Sequence, residues 1–202
     1  MNWLESIAVR LRQLALQMNL NGDVDCMQTF TPRAQKVLEL ARDAAAKAGC
    51  PFLRTEHLIL GILELGQGGA FDVMTAGKID IESTRQELEK GLPPKQPPTG
   101  AVPMPTPGFL RVIMAADMER KDLKHEFTGT EHLLLGVLRE PVSLVREVFA
   151  RAGFTLESVR KEVQRIRSAP DESTSNPGTD LNQGVADCFQ SAISCRRSGF
   201  MP

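Results

Sequence analysis

Hydrophobic positions recur along most of the chain at three- and four-residue spacing, the period of an amphipathic helix. From Thr31, a suitable N-cap followed by a proline, this spacing predicts a helix that runs until Gly49. The next segment, residues 55–65, is apolar on nearly all sides, so we expect a buried central helix there. A shorter helix is predicted over 69–76 and a fourth from about residue 81. The pattern therefore predicts a module of four helices.

The sequence of this module occurs twice along the chain. TEHLILGILE begins at Thr55, and TEHLLLGVLRE begins 75 residues later at Thr130. This offset holds from the Thr-Pro pairs at 31 and 106 to the arginines at 85 and 160, with one short insertion and one deletion. The two threonines that open the phrase are predicted to be N-caps. We also expect Leu60 and Leu135 to be equivalent buried positions.

We expect an all-α protein in which two pseudosymmetric four-helix repeats form one double domain over residues 29–168. Repeat one is predicted over 30–91 and repeat two over 106–167. The segment 92–105 between them is rich in proline, so it should be extended rather than helical. Residues 169–202 are rich in small and polar types that bury too little apolar surface to offset chain entropy. They should form a disordered tail.

An additional amphipathic helix is predicted in the N-terminal extension, residues 1–28. Its apolar stripe recurs every three or four residues and consists of Trp3, Ile7, Leu11, Leu14 and Met18. We expect this stripe to pack on the protein's own repeats. Such a stripe also suits docking into a groove of another protein, or self-association, so these alternatives stay open.

Charge and composition exclude several classes of function. The 202 residues carry 24 basic and 25 acidic side chains without a run of like charge, so nucleic acid is not an expected partner. The longest apolar runs are far shorter than the roughly 20 residues of a membrane span, and the charged N-terminus does not resemble a signal peptide. Four cysteines without CxxC spacing suit a reducing compartment. We therefore expect a cytoplasmic protein that does not bind membranes.

The Glu-His pair in the doubled phrase is a candidate site whose chemistry can be narrowed. A zinc protease helix needs HExxH, whereas each histidine here follows its glutamate and has no second histidine one turn away. The sequence also lacks a nucleophile motif such as GxSxG. We therefore expect no catalytic residue, no metal and no cofactor. The threonine and glutamate of each phrase are expected mainly to stabilise the start of a helix, by capping and by meeting the helix dipole.

The doubled phrase, together with the openings TPRAQKVLEL and TPGFLRVIMA, resembles the Clp repeat, the N-terminal domain of ClpA- and ClpC-type unfoldases. The resemblance covers roughly residues 30–166. In those unfoldases the domain precedes AAA+ ATPase modules, but these 202 residues contain no GxxxxGK[ST] phosphate loop. We therefore expect a free-standing, non-enzymatic double Clp N-domain.

The resemblance implies a protein-binding function, because the N-domains of ClpC-type unfoldases recognise adaptors and, in some members, phosphorylated arginine. On this chain the implied ligand-binding residues are Thr31, Glu56, Thr106 and Glu131. The glutamates could accept hydrogen bonds from a guanidinium, while the helix N-termini after the two threonines supply N–H groups for a phosphate. Glutamates with this role should be at least partly exposed.

The two copies are not expected to bind equally well. Arg54 precedes the first phrase, whereas Gly129 precedes the second. A cation at that position could pair with Glu56 or repel an incoming guanidinium, while a glycine places no charge next to Glu131. We therefore predict that the second copy is the better site.

Three functions follow from these observations. The one we favour is an adaptor, competitor or accessory regulator of a Clp unfoldase-protease, with Clp ATPases, Clp protease subunits, or their adaptors and substrates as partners. A second is a structural subunit that docks on the Clp proteolytic core, which a pull-down would distinguish by the subunits it recovers. A third is a metal-dependent enzyme that uses the Glu-His pairs, which would require stoichiometric metal in the purified protein.

Overall fold

A computed structural model describes residues 3–17, 29–93, 97, 101–141 and 143–168. The helices are α1 (Trp3–Gln17), α2 (Pro32–Lys47), α3 (Thr55–Leu65), α4 (Gly69–Ala76), α5 (Ile81–Gly91), α6 (Pro107–Asp122), α7 (Thr130–Arg139), α8 (Leu144–Arg151) and α9 (Leu156–Ser168). Two short strands are β1 (Phe52–Leu53) and β2 (Met104–Pro105). The predicted tail over 169–202, Met18, and much of the proline-rich segment lie outside the described residues.

The prediction of an all-α protein built from two tandem four-helix repeats is confirmed. Helices α2 to α5 form repeat one, and each helix of repeat two, α6 to α9, begins 75 residues after its counterpart. The predicted caps at the repeat starts are also present. Thr31 Oγ1 accepts a hydrogen bond from the Ala34 N–H at 3.2 Å, and Thr106 Oγ1 accepts one from the Phe109 N–H at 3.2 Å.

Helices α3 and α7 are the central helices of the core, as their all-round apolar pattern predicted. Leu60 and Leu135 are both buried. A glycine in each central helix allows the neighbouring helix to approach closely: a Cβ on Gly61 would lie 2.7 Å from the Val37 carbonyl oxygen of α2. Among the described residues no single helix is long and apolar enough to cross a membrane, although α3 and α4 together pass on length and composition as a pair bent by 87°.

The two repeats exchange backbone hydrogen bonds just before their helices begin. β1 of repeat one pairs in parallel with β2, which immediately precedes repeat two. In the corresponding place of the other repeat, Phe30 forms a parallel bridge with Thr128. The sequence analysis did not predict these pairings, because two-residue strands carry no periodicity and their partners are distant in sequence. The extended conformation predicted for segment 92–105 is present at β2.

The N-terminal helix α1 packs on the repeats, mainly against α6. Ile7 and Leu11 of the predicted stripe are fully buried, and Trp3 is partly buried. The Arg42 guanidinium lies 5.1 Å from the centre of the Trp3 ring, a cation–π contact between α1 and α2. This part of the stripe therefore covers the protein's own core rather than remaining free for a partner.

Candidate binding sites between the repeats

The doubled phrase lies at the starts of α3 and α7, and its polar residues are buried in both copies. Glu56 is 8% exposed and Glu131 is 5% exposed. Both are therefore more buried than we expected of glutamates that bind a ligand directly.

The predicted N-caps Thr55 and Thr130 are wrong by one residue, because the capping positions are Arg54 and Gly129. The histidine of each phrase supplies the local hydrogen bond instead. His57 Nδ1 accepts from the Arg54 N–H at 3.1 Å, and the equivalent imidazole of repeat two accepts from the Gly129 N–H at 2.9 Å. A histidine at the third helical position thus reaches back to the start of the helix, and the threonine hydroxyl is released for other contacts.

The released threonine hydroxyls contact the opposite repeat. Thr130 Oγ1 accepts a hydrogen bond from the Ala70 N–H at 3.2 Å, in the first turn of α4. Thr55 Oγ1 lies 3.4 Å from Ser143 Oγ, just before α8, and donates to Glu56 Oε2 at 3.1 Å. The phrase is therefore part of the interface between the repeats as well as the start of a helix.

The candidate residues associate across the repeats rather than within them. The Thr31 N–H donates to the Thr128 carbonyl at 3.0 Å, which places the start of α2 beside the start of α7 and Glu131. The Thr106 N–H donates to the Leu53 carbonyl at 3.0 Å, which places the start of α6 beside the start of α3 and Glu56. We name the first pairing (Thr31 with Glu131) composite site two, and the second (Thr106 with Glu56) composite site one.

In composite site two the carboxylate of Glu131 packs against two glycine backbones. A Cβ on Gly129 would lie 2.7 Å from Glu131 Cδ, and a Cβ on Gly69 would lie 2.7 Å from Glu131 Oε2. The carboxylate thus lies beside the N-termini of both α7 and α4, where the helix dipoles favour negative charge. Only glycine, which has no Cβ, leaves room for the carboxylate at these two positions.

Two further charged residues belong to composite site two, and neither was among the binding residues predicted from the sequence. Arg33 is exposed in the first turn of α2, and its Cδ lies 3.8 Å from where a Cβ of Gly68 would stand. The pKa of Asp72 is raised, chiefly by desolvation of its carboxyl group; Arg33 opposes this shift and Glu131 adds to it. One guanidinium and two carboxylates therefore interact electrostatically there.

Composite site one has a different set of charges. Arg54 occupies the position of Gly129, so Glu56 cannot fold back over a glycine and instead accepts a hydrogen bond from Thr55. Gly108 occupies the position of Arg33 and lies beside an ion pair between Arg111 and Glu140, whose closest atoms are 2.6 Å apart. Composite site one thus has Arg54 two residues before its glutamate, and Arg111, the cation near Gly108 on the facing helix, is already paired with Glu140.

The two histidines also differ in their surroundings. His57 is fully buried, and its Nε2 has no hydrogen-bond partner among the residues that the structure describes. Burial, and then the charge of Arg54, lower the pKa of His57 to about 4, so the imidazole is neutral near pH 7. In repeat two, His132 Nε2 lies 2.8 Å from His125 Nδ1. Cys50 stands at the position of His125 in repeat one, which explains why His57 lacks such a neighbour.

Comparison with known proteins assigns the family. The family model of the Clp repeat (R) N-terminal domain matches residues 29–145 and, a second time, residues 121–198. The chain belongs to this family. The resemblance inferred from the doubled phrase is thereby confirmed.

Relatives of this Clp repeat chain are much longer proteins. The chaperone protein ClpB of Oceanobacillus iheyensis is 30% identical over 157 residues, 78% of this chain and 19% of the relative. The negative regulator of genetic competence ClpC/MecB of Bacillus subtilis is 33% identical over 153 residues, 76% of this chain and 19% of the relative. The chain thus spans less than a fifth of the length of these relatives.

A solved ClpV N-domain in complex with a VipB peptide has the same fold. Its TM-score is 0.60 at 16% identity, over 72% of this chain and 91% of the ClpV chain. At this identity the likeness shows the fold, and the peptide is a property of that ClpV domain.

One cluster in the Clp repeat has donor atoms close enough for a metal ion. Within the described residues, ligand atoms of His125, Glu131 and His132 all lie within 4.8 Å of one another. His132 Nδ1 already accepts the Gly129 N–H, so this histidine would bind a metal through Nε2 and give up its contact with His125. The sequence analysis, which expected no metal, did not consider His125.

Proposed function

We propose that this Clp repeat domain is a cytoplasmic, non-enzymatic protein-binding module that acts as an adaptor, competitor or accessory regulator of a Clp unfoldase-protease. The observation that carries the proposal is composite site two, where a glutamate lies beside the helix N-termini contributed by the opposite repeat. Membership of the Clp family supports a partner in the Clp system. The ClpV N-domain bound to a VipB peptide supports peptide recognition by this fold.

The proposed ligand of composite site two is a phosphoarginine side chain on a marked protein. Its guanidinium donates two hydrogen bonds to the carboxylate of Glu131. Its phosphoryl group accepts the Arg33 N–H and pairs with the Arg33 side chain. In the first turn of α2, Pro32 has no N–H, and the N–H groups of Ala34 and Gln35 already donate to Thr31. The Arg33 N–H is therefore the donor that this turn offers to an anion.

Binding requires the carboxylate of Glu131 to move, because it is nearly fully buried against Gly129 and Gly69. Affinity for a single phosphoarginine should therefore be modest. Composite site one should bind more weakly still, since Arg54 lies beside its glutamate and Gly108 supplies no cation for the phosphate. Two sites on one domain raise the affinity for proteins that carry several marks, provided that both sites are reached at once.

The direct test is a titration of the protein with free phosphoarginine, monitored by calorimetry or NMR, for the wild type and four variants. Glu131→Gln and Arg33→Gln should each weaken binding by about tenfold or more, because each removes a charge-assisted contact. Glu82→Gln is the matched control, because Glu82 is also the second residue of its helix but is exposed on α5. Both glutamate substitutions remove a helix-dipole interaction worth about 0.3–1 kcal/mol, so the loss of binding, not stability, distinguishes them.

Two results would contradict this assignment. The first is equal affinity of the wild type and Glu131→Gln for phosphoarginine. The second is a loss from Glu56→Gln as large as that from Glu131→Gln, which would overturn the ranking of the two sites.

The partner is tested by affinity purification from the protein's own cells. Recovery of a Clp ATPase or its substrates, reduced in Glu131→Gln and unchanged in Glu82→Gln, supports the proposed role. Recovery of the peptidase rings with both variants would instead support a structural subunit of the proteolytic core.

A further inference from the structure

Repeat one contains an open cavity of about 230 Å³ between α2, α3 and α5, separate from both composite sites. Its wall includes apolar residues and several ionisable ones. The residues that matter for its chemistry are Ala44, Lys47, His57, Glu64, Arg85 and Glu89.

The equivalent place in repeat two is filled by a buried carboxylate. Glu119, which stands at the position of Ala44, is fully buried on α6. Arg160 on α9 donates to both of its oxygens, with Nη2 2.7 Å from each of them and Nε 3.0 Å from Oε2. Arg139 on α7 is a second cation at this carboxylate and donates from Nη1 to Oε1 at 3.0 Å. Repeat two thus holds a carboxylate at this place with side chains from two neighbouring helices.

Repeat one keeps the main cation but lacks the carboxylate. Arg85 stands at the position of Arg160, and Ala44 ends at its Cβ where Glu119 extends inward. Arg85 forms no hydrogen bond or ion pair with any residue in the part of the chain that the structure describes. The cavity therefore corresponds to the place that the Glu119 side chain occupies in repeat two, and the guanidinium of Arg85 still lines it.

His57 provides a second, independent observation in the same wall. It is fully buried, and its Nδ1 accepts the Arg54 N–H, so a neutral imidazole carries its proton on Nε2. That N–H has no acceptor among the described residues. A buried donor without a partner is costly, and a ligand oxygen that accepts it removes this cost.

We propose that this cavity binds a glutamate or aspartate side chain of a partner protein, which Arg85 holds as Arg160 holds Glu119. The charges on the exposed rim determine which kind of residue is favoured next to that acidic residue in the ligand. Glu64 stands where repeat two has Arg139, and Glu89 also lines the rim. Among the described residues of the rim, these two exposed carboxylates outnumber the one exposed ammonium, that of Lys47, so the rim favours a basic neighbour in the ligand. The ligand class is therefore a peptide segment with an acidic residue beside a lysine or arginine. This site does not depend on phosphoarginine binding and stands apart from the proposed function.

The test uses the full chain and the peptide acetyl-Glu-Lys-amide, with acetyl-Gln-Lys-amide as the neutral comparison, in an NMR titration that monitors the amides of α2 and α3. The glutamate peptide should shift residues around Ala44 and Leu60, and the glutamine peptide should not. Arg85→Gln should lower the affinity about tenfold or more. Lys90→Gln, on the same helix but outside the cavity, should leave it unchanged.

A second variant tests the site from inside the protein. Ala44→Glu should place a carboxylate against Arg85, abolish binding of acetyl-Glu-Lys-amide and raise the midpoint of thermal unfolding. Because Arg85 forms no hydrogen bond or ion pair with the described residues, Arg85→Gln should fold and remains decisive even if Ala44→Glu does not fold.

Three results would overturn the proposal: equal binding of the two peptides, full affinity in Arg85→Gln, or no binding of acetyl-Glu-Lys-amide at any attainable concentration. A further comparison uses acetyl-Gln-Lys with a free carboxyl terminus. If this peptide binds and its amide does not, the cavity binds chain termini, and the assignment to an acidic side chain is overturned.

Discussion

At the scale of single residues, two differences between the repeats change the chemistry of the same phrase. With Arg54 in place of Gly129, Glu56 has no glycine to fold back over and accepts a hydrogen bond from Thr55 instead. Cys50 in place of His125 leaves the buried Nε2 of His57 without a partner in the described part of the chain. Neither change alters the helix that follows, since α3 and α7 start at equivalent positions. Repeated sequences can thus keep their fold while their polar residues diverge.

The buried histidine predicts a specific dependence of stability on pH. The pKa of His57 is lowered from 6.5 to about 4 in the folded protein, mainly by burial. Between these values the unfolded chain binds a proton at this residue that the folded chain does not, so stability falls as the pH falls through this window. Between pH 6.5 and about pH 5 the loss should be about 1.5 kcal/mol.

The substitution His57→Asn isolates this contribution, because asparagine Oδ1 can still accept the Arg54 N–H but does not titrate. Denaturant unfolding of the wild type and His57→Asn across this pH range should show a shallower fall for the variant. If stability falls equally with pH in the two proteins, His57 does not have the lowered pKa on which this prediction rests.

At the scale of helices, the central glycines fix how closely the first two helices of each repeat approach. A Cβ on Gly136 would lie 2.5 Å from the Val112 carbonyl oxygen and 3.0 Å from the Ala116 amide nitrogen. Gly61 makes the equivalent approach to Val37 and Ala41 in repeat one. These are backbone atoms, so the clash cannot be relieved by rotating a side chain. The helices themselves would have to separate.

We therefore predict that Gly61→Ala and Gly136→Ala each destabilise the protein, although alanine is the better helix former by about 1 kcal/mol. The expected net loss is about 1–3 kcal/mol, as for other overpacked cores. Gly108→Ala is the control, because a Cβ there would make only ordinary contacts at 3.6 Å or more. Unfolding midpoints unchanged in both core variants would show that the helix pairs tolerate separation.

At the scale of the whole molecule, the repeats are joined by reciprocal contacts rather than by a linker alone. The chain entering α2 pairs with the chain entering α7, and the chain entering α6 pairs with the chain entering α3. Thr130 bonds to α4 of the other repeat, and α1 lies on α6 while contacting Arg42 of α2. Each repeat therefore needs the other to satisfy its backbone at the helix starts.

This arrangement predicts that the two repeats and α1 unfold together. Trp3 is the single tryptophan of the chain and lies on α1, so its fluorescence reports whether that helix is docked. Thermal transitions followed by Trp3 fluorescence and by far-ultraviolet circular dichroism should coincide. An earlier fluorescence transition would show that α1 separates first, and two calorimetric peaks would show that the repeats unfold independently.

The sequence by itself determined the helices, their order and their duplication. Helix period, Thr-Pro starts and glycine ends are local signals, and they occur in both repeats. Within the candidate sites the sequence indicated Thr31, Glu56, Thr106 and Glu131, but it could not show that each threonine lies beside the helix start that carries the glutamate of the other repeat. It also placed the caps of α3 and α7 one residue late, since the threonine hydroxyls are drawn to the opposite repeat. Only the tertiary structure decided these pairings, the burial of both glutamates and the cavity beside Arg85, because each depends on atoms brought together from distant parts of the chain.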